Sequence, residues 1–152
     1  MYNCFDIAKY FVKLSNKEGV RIDTMKLLKL TYIAHGWYLG FKHKPLFSNT
    51  VEAWKYGAVI PDLYHVIKIY GEGNVSAFLL SHYAKTELKD KDKDFLKIIW
   101  NNYKKFTGFE LSDKTHEEGT PWADTWEEST RKLIPNKLIK RYYTEMIKNK
   151  KK

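Results

Sequence analysis

Apolar residues are densest between Met25 and Gly71, and the first part of this stretch has helical spacing. Two rows of apolar positions, at 25, 28, 32, 39 and at 27, 30, 34, 37, 41, together cover a wide arc of one helix. Such an arc is typical of a helix that is buried on most sides. Asp23 is placed to cap its N-terminus, and Gly40 is placed to end it in the left-handed conformation. The pattern therefore predicts a buried central helix over residues 24–40.

Similar signals predict the elements around this helix. Asn3 is placed to cap a first helix, and Gly19 to end it. Gly36 lies inside the central helix, where a glycine indicates that another backbone or a tryptophan ring approaches closely. Further helices are predicted over 92–105 and 109–117, and from Pro61, Pro121 and Pro135 onward. The predicted fold is mainly α: a compact bundle of about five to seven helices around the central helix, with at most a small β element near 50–54 and 75–79.

The length of 152 residues is typical of one domain, which we place at residues 1–147. Residues 148–152 are Lys-rich and are expected to form a disordered tail. Nine Lys or Arg and one Glu from residue 131 onward carry +8 of the formal net charge of +9. Because the charge is concentrated there, it favours a solvated helix face and tail over a specific nucleic-acid groove. Weak, non-specific and salt-sensitive contact with nucleic acid through the tail stays open.

Cysteine usage and hydropathy indicate the compartment. The only cysteine, Cys4, has no second thiol with which to form a disulfide or share a metal, which suits a reducing environment. Asp6 and Lys9 interrupt the N-terminus before a signal-peptide core could form, and the apolar runs are short. We expect a cytoplasmic protein that makes no contact with a membrane.

His116 is the most tempting catalytic candidate, because it stands beside Glu117 and Glu118. Adjacent helix positions point in different directions, so these residues cannot form an oriented dyad by themselves. A structural role in the turn before Pro121 is favoured for His116, and a hydrogen-bonded core position for His35. The histidines at 35, 43, 65, 82 and 116 have no metal-ligand spacing, and no glycine-rich phosphate loop is visible. We therefore expect no catalysis, cofactor or metal.

Aromatic residues make up 16% of the chain and include five tryptophans, which is typical both of cores and of partner contacts. Trp37 and Trp100 lie on apolar helix faces and are predicted core residues. Five others flank a glycine-containing turn or lie in a polar segment, and they are predicted to contact a partner: Trp54, Tyr56, Tyr64, Trp122 and Trp126. The predicted contact surface is centred on residues 42–62.

Four motifs occur in order along the chain: KLLKLTYIAHGW (26–37), KPLFSNTVEAWKYGAVIPDLY (44–64), LSDKTHEEGTPW (111–122) and IPNKLIKRYY (134–143). Together they resemble the Panacea antitoxin domain family, which includes SocA-like and phage-associated GepA-like proteins. Within the motifs, seven residues are assigned structural roles: His35, Trp37, Gly57, Pro61, Thr115, His116 and Pro121. The chain departs from the family pattern at Ala58, where a proline is common, and at Lys114, where an apolar residue is common.

The resemblance implies a binding protein and not an enzyme. Members of the family neutralise a cognate toxin by direct protein contact, and the SocA-type member also presents its toxin to the ClpXP protease. On this basis we expect an antitoxin of a toxin-antitoxin system, and the resemblance also implies a role as a proteolysis adaptor. The alternative is a nucleic-acid-binding regulator that uses the basic C-terminal helix.

Overall fold

The computed structural model describes residues 1–150, which form eight α-helices and a small sheet. The helices are α1 (Cys4–Glu18), α2 (Thr24–Lys42), α3 (Pro61–Ile67), α4 (Ala77–Ser81), α5 (Asp90–Tyr103), α6 (Gly108–His116), α7 (Pro121–Thr125) and α8 (Asn136–Lys150). A 3₁₀ turn, Lys68–Tyr70, follows α3. The mainly α prediction is confirmed. Within this part of the chain, no helix is long and apolar enough to cross a membrane.

Helix α2 is the buried centre of the fold, as predicted. Asp23 caps it by accepting the Lys26 N–H at 2.9 Å. The prediction that Gly40 ends the helix is wrong, because α2 continues to Lys42 and its C-cap is His43, at a φ of 60°. Gly40 is instead a packing position, since an added Cβ there would lie 3.0 Å from Tyr143 Cβ on α8.

Gly36 is a point of close approach between α2 and α8. A Cβ at this position would lie 2.1 Å from Cε2 of Tyr143, so the tyrosine ring rests directly on the helix backbone. The predicted close approach at Gly36 is therefore correct, but the approaching group is a tyrosine and not a tryptophan. Trp37 lies beside it, 5.0 Å from the Tyr143 ring in an edge-on arrangement.

Helix α1 begins and ends where the sequence predicts. Asn3 and Asp6 form a reciprocal capping box at its N-terminus, which satisfies two backbone N–H groups that the helix cannot. Gly19 ends the helix at a φ of 69°, a left-handed conformation that glycine adopts without steric cost. The second Asp6 oxygen accepts the backbone N–H groups of Lys85 and Thr86, so this cap also fixes a distant loop.

The predicted β element near 75–79 is wrong, since this segment enters the short helix α4. Ser76 caps α4 by accepting the Phe78 N–H at 3.1 Å. The Val75 N–H is already bonded to the Ile22 carbonyl, at 3.0 Å. Both backbone N–H groups therefore have hydrogen-bond partners without a neighbouring strand. For this reason the segment forms no β-strand, although it begins with the β-branched residue Val75.

The sheet has three short antiparallel strands, β1 (Glu52–Trp54), β2 (Gly57–Val59) and β3 (Lys132–Leu133), in the order β2-β1-β3. The β element predicted near 50–54 is confirmed as β1. Strand β3 was not predicted, because its pairing with β1 joins segments that are far apart in sequence. The β1–β2 hairpin lies against α2 and α6 and carries the site described below.

Residues 148–150, which the sequence placed in a disordered tail, belong to α8, while 151–152 lie outside the described residues. The Lys150 ammonium is 4.8 Å from the centre of the Trp37 ring, a cation–π contact that favours the helical last turn.

Helix α8 has a buried face and a basic face. Its buried residues Ile139 and Tyr143 face the core. The basic positions 137, 140, 141 and 148 share the opposite helix face by their spacing.

Candidate partner-binding site

The hairpin and helix α3 place three of the predicted contact residues side by side. Trp54 ends β1, Tyr56 lies in the hairpin turn, and Tyr64 lies on α3. The rings of Trp54 and Tyr64 are 5.3 Å apart in an edge-on arrangement, and both are half-buried. Tyr56 is 71% exposed. Pro61 begins α3, where its missing N–H costs nothing, and so sets the angle at which Tyr64 approaches the hairpin.

The other two predicted contact residues reach the same place from α7. The Trp122 indole N–H donates to the Trp54 carbonyl at 2.7 Å, and the Trp122 and Trp126 rings stack with centroids 5.3 Å apart. Pro121 starts α7, and Thr120 caps it, which places Trp122 over the hairpin. We call these five residues the aromatic cluster: Trp54, Tyr56, Tyr64, Trp122 and Trp126.

One residue of this site was not found from the sequence. The Arg131 guanidinium lies 3.9 Å from the centre of the Trp54 ring. Arg131 begins a Lys- and Arg-rich C-terminal region, and nothing in the sequence distinguishes it from the other basic residues there. Only the pairing of β3 with β1 carries it to Trp54.

Two clefts open on either side of Trp54, Tyr56 and Tyr64. The first cleft, of about 370 Å³, lies between these residues and the start of α2 and α6, and its other walls include Met25, Leu28, Lys29, Val59 and Phe109. The second cleft, of about 650 Å³, is closed on its far side by residues 126–131. Trp54, Tyr56 and Tyr64 therefore line both clefts.

Lys29, on α2, donates hydrogen bonds to the hairpin turn. Its ammonium donates to the carbonyls of Ala58 at 2.8 Å and Tyr56 at 3.5 Å, and the residue is only 2% exposed. Burial lowers the pKa of Lys29 to about 8, because the low-dielectric interior disfavours the charged form. The sequence did not predict this role, because nothing in the helical spacing distinguishes Lys29 from the neighbouring lysines of α2.

His116 lies on the other side of the turn, in a structural setting. Its Nδ1 is 2.6 Å from the Ser112 carbonyl and 3.2 Å from the Ser112 hydroxyl, which itself donates to the Tyr56 carbonyl at 3.3 Å. The imidazole packs on Trp122, with 4.2 Å between ring centroids. Thr115 donates to the Leu111 carbonyl within the same helix. These contacts tie α6 to the hairpin and to α7.

No three His, Cys, Asp or Glu side chains within residues 1–150 are grouped so that they could hold a metal ion. His35 is a completely buried core residue: its Nε2 lies 2.9 Å from Asn136 Oδ1, and its ring stacks on Phe47. The structure does not bring His35 and His116 together around a common carboxylate.

We expect Gly57→Ala to lower the free energy of unfolding by about 2 kcal/mol. Residues with a side chain rarely adopt the backbone conformation of Gly57, and neighbouring atoms leave no room for a Cβ. Gly57 has a φ of 126°, and an added Cβ would lie 2.4 Å from Lys29 Nζ and 2.9 Å from His116 Cε1. Urea unfolding measures the effect. Gly19→Ala is the matched control, because Gly19 also has a positive φ but has nothing within 4 Å of an added Cβ. An equal loss in both variants would show that the contacts of Gly57 do not matter.

Residues 27–123 match the family model described as Antitoxin SocA-like, Panacea domain. The chain is also similar to Antitoxin SocA of Caulobacter vibrioides (strain NA1000 / CB15N), with 28% identity over 111 residues. The similar region covers 68% of this chain and 59% of that relative's length. No solved structure matches the chain. Since the family model spans more than half of the chain and includes the hairpin, α3 and Trp122, this protein belongs to the SocA-like Panacea antitoxin domain family.

Proposed function

We propose that this protein is an antitoxin that neutralises a cognate toxin by direct contact, and that the aromatic cluster with its two clefts is the contact surface. The observation that carries the proposal is the convergence of five aromatic side chains from the hairpin, α3 and α7 on one face. Membership of the antitoxin family supports the kind of partner. In this proposal the chain acts by covering the toxin's active site or substrate groove, and turns over no substrate.

The contacts within the cluster favour tight binding because they fix the rings before a partner arrives. Trp54 is held between Tyr64 and the Arg131 guanidinium, and Trp122 is held by its bond to the Trp54 carbonyl. Tryptophan and tyrosine bury a large area with few rotatable bonds, so little side-chain freedom is lost on association. A surface that is already ordered loses less entropy when it binds.

The proposal is tested by expressing the neighbouring reading frame alone and together with this chain. We expect the neighbour to stop growth alone, and growth to return with a stable complex that can be purified. A neighbour that is harmless, or that is toxic but not rescued, would contradict the proposal. Toxin levels in cells with and without ClpXP, measured in the same experiment, test the adaptor role that the family resemblance implies.

We expect Trp54→Ala to weaken the complex by about 30-fold or more, which corresponds to the 2 kcal/mol typical of a binding hot spot. The side chain lies in the wall that both clefts share, so its loss opens both. Isothermal titration calorimetry on the purified pair measures the change. Phe78→Ala is the control, because Phe78 is a 75% exposed aromatic residue on α4, outside the lining of both clefts. Equal losses in the two variants would contradict the assignment of the surface.

The basic face of α8 is the observation behind the alternative function, a nucleic-acid-binding regulator. Lys137, Arg141 and Lys148 are exposed along this face, opposite the buried residues. If they form a binding surface, neutralising Lys140 and Arg141 and deleting 148–152 must weaken binding to DNA or RNA and reduce its salt dependence. Unchanged binding in that variant, or no binding near physiological salt, rejects the alternative.

A further inference from the structure

Among residues 1–150, Lys29 is a buried cation with no acidic partner. Burial is the only cause of its lowered pKa, whereas a nearby carboxylate would raise that pKa. Lys26, one helical turn earlier, is also buried, and burial lowers its pKa. The negative charges of Asp23 and Glu110 oppose this shift, so Lys26 has acidic neighbours where Lys29 has none among the described residues. An ammonium group has three N–H donors, and the two carbonyls of the hairpin turn accept from two of them. Within the part of the chain that the structure describes, the third donor has no hydrogen-bond partner and no carboxylate balances the charge.

Lys29 is one of the residues that line the first cleft, among apolar and aromatic side chains, although only 2% of its surface is exposed. The first residues of α2 and α6, Thr24 and Gly108, line the same cleft, so two helix N-termini add partial positive charge to it. The other ionisable groups of the lining are Asp23, Lys68, Glu72, Tyr56 and Tyr64. Asp23 is already bonded to the α2 backbone as its cap. His116 approaches Gly57 close to the Lys29 ammonium.

We propose that the first cleft binds a segment of the toxin in which an acidic side chain stands between apolar residues, with its carboxylate paired to the Lys29 ammonium. This inference rests on the proposed function and deepens it by naming the chemistry of the partner. A buried charge without a counter-ion is costly, and an entering carboxylate removes that cost while its neighbours cover the apolar walls. An amide oxygen at the same place can accept a hydrogen bond but brings no negative charge, and a basic residue is repelled by the ammonium, so the cleft discriminates by charge.

The pairing also gives binding a characteristic pH dependence. A carboxylate beside Lys29 favours the charged amine and raises the pKa of Lys29 above the value of about 8 in the free protein. Below pH 8 the amine is protonated in both states, and affinity does not depend on its titration. Above pH 8 the free protein loses the proton first, and affinity falls up to tenfold for each unit by which binding raises the pKa.

The probes for the test are two blocked tripeptides, acetyl-Leu-Glu-Leu-amide and acetyl-Leu-Gln-Leu-amide. They are titrated into the full chain while the lysine side-chain carbons are followed by NMR. We expect the Glu peptide to bind about tenfold more tightly than the Gln peptide and to raise the pKa of Lys29 by about one unit. The difference should vanish in Lys29→Met. It should persist in Lys26→Met, which removes the buried lysine that already has acidic neighbours and does not line the cleft.

Equal binding of the two peptides, binding of neither, or a difference that survives Lys29→Met would overturn the inference. If Lys29→Met does not fold, the pKa of Lys29 in the wild-type chain with each peptide still decides the outcome. Failure of the proposed function is separate, because it would appear as a neighbouring gene product that this chain neither binds nor neutralises. A complex with the toxin that is equally tight in a folded Lys29→Met variant would remove this inference alone.

Discussion

Replacing Gly36 with alanine is expected to lower the free energy of unfolding by about 3 kcal/mol. The new methyl group would lie 2.1, 2.5 and 2.6 Å from three carbons of the Tyr143 ring. That ring cannot move aside easily, because it is 96% buried and packed edge-on against Trp37 and Tyr142. Alanine improves helix propensity by about 1 kcal/mol, which offsets only part of the overlap. Chemical denaturation followed by tryptophan fluorescence measures the loss.

A double-mutant cycle shows whether the contact is the cause. Tyr143→Leu removes the ring atoms that the new methyl group would overlap, so Gly36→Ala should cost much less in that background. The same cost in both backgrounds would mean that the backbone of α2, and not its contact with α8, limits the position. The cycle therefore tests the main helix-to-helix contact of the fold.

Lowering the pH from 6.5 to 4 is expected to remove on the order of 3 kcal/mol of stability through His35 alone. His35 is completely buried, and burial lowers its pKa to about 4, although the hydrogen bond to Asn136 partly opposes this. In the unfolded chain the imidazole binds a proton near pH 6.5. Between these values the unfolded state binds more protons than the folded state, so stability falls as the pH falls. Below pH 4 both states are protonated, and this contribution stops changing.

The pH dependence of His35 is isolated with His35→Gln, which keeps a polar side chain near Asn136 but does not titrate. Unfolding free energies of both proteins are measured from pH 7 to pH 4, and the difference between the two curves belongs to His35. We expect the wild-type curve to fall more steeply. Parallel curves would show that the buried imidazole is charged in the folded protein or that it remains accessible to protons.

Much of the helical framework could be predicted from the sequence because its signals are local. Asn3, Gly19 and Asp23 cap helices through groups a few residues away, and Pro61 and Pro121 start helices through their own backbone geometry. The wrong predictions, at Gly40 and at residues 75–79, occurred where contacts with distant segments determine the conformation. Gly40 is a glycine because α8 crosses there, and residues 75–79 are not a strand because Ser76 and Ile22 satisfy their backbone.

The candidate site shows the same division. Local context singled out five aromatic residues as candidates, since each stands beside a turn or in a polar segment. It could not place Trp122 on the Trp54 carbonyl, nor bring Arg131 to the Trp54 ring, because these contacts join residues 68 and 77 positions apart. The buried Lys29 was missed because charge in a sequence indicates exposure, and only the packed hairpin removes this lysine from water.

The sequence by itself therefore determined the buried central helix, most of the capped helices around it and the family to which the chain belongs. Those properties follow from the spacing of apolar residues and from short motifs, which act over a few residues. The tertiary structure alone decided that five aromatic side chains share one surface and that two clefts flank it. It also decided that Lys29, a buried lysine with no acidic partner among residues 1–150, is one of the residues that line the first cleft. Convergence and burial are properties of segments that pack together, and they have no local signature along the chain.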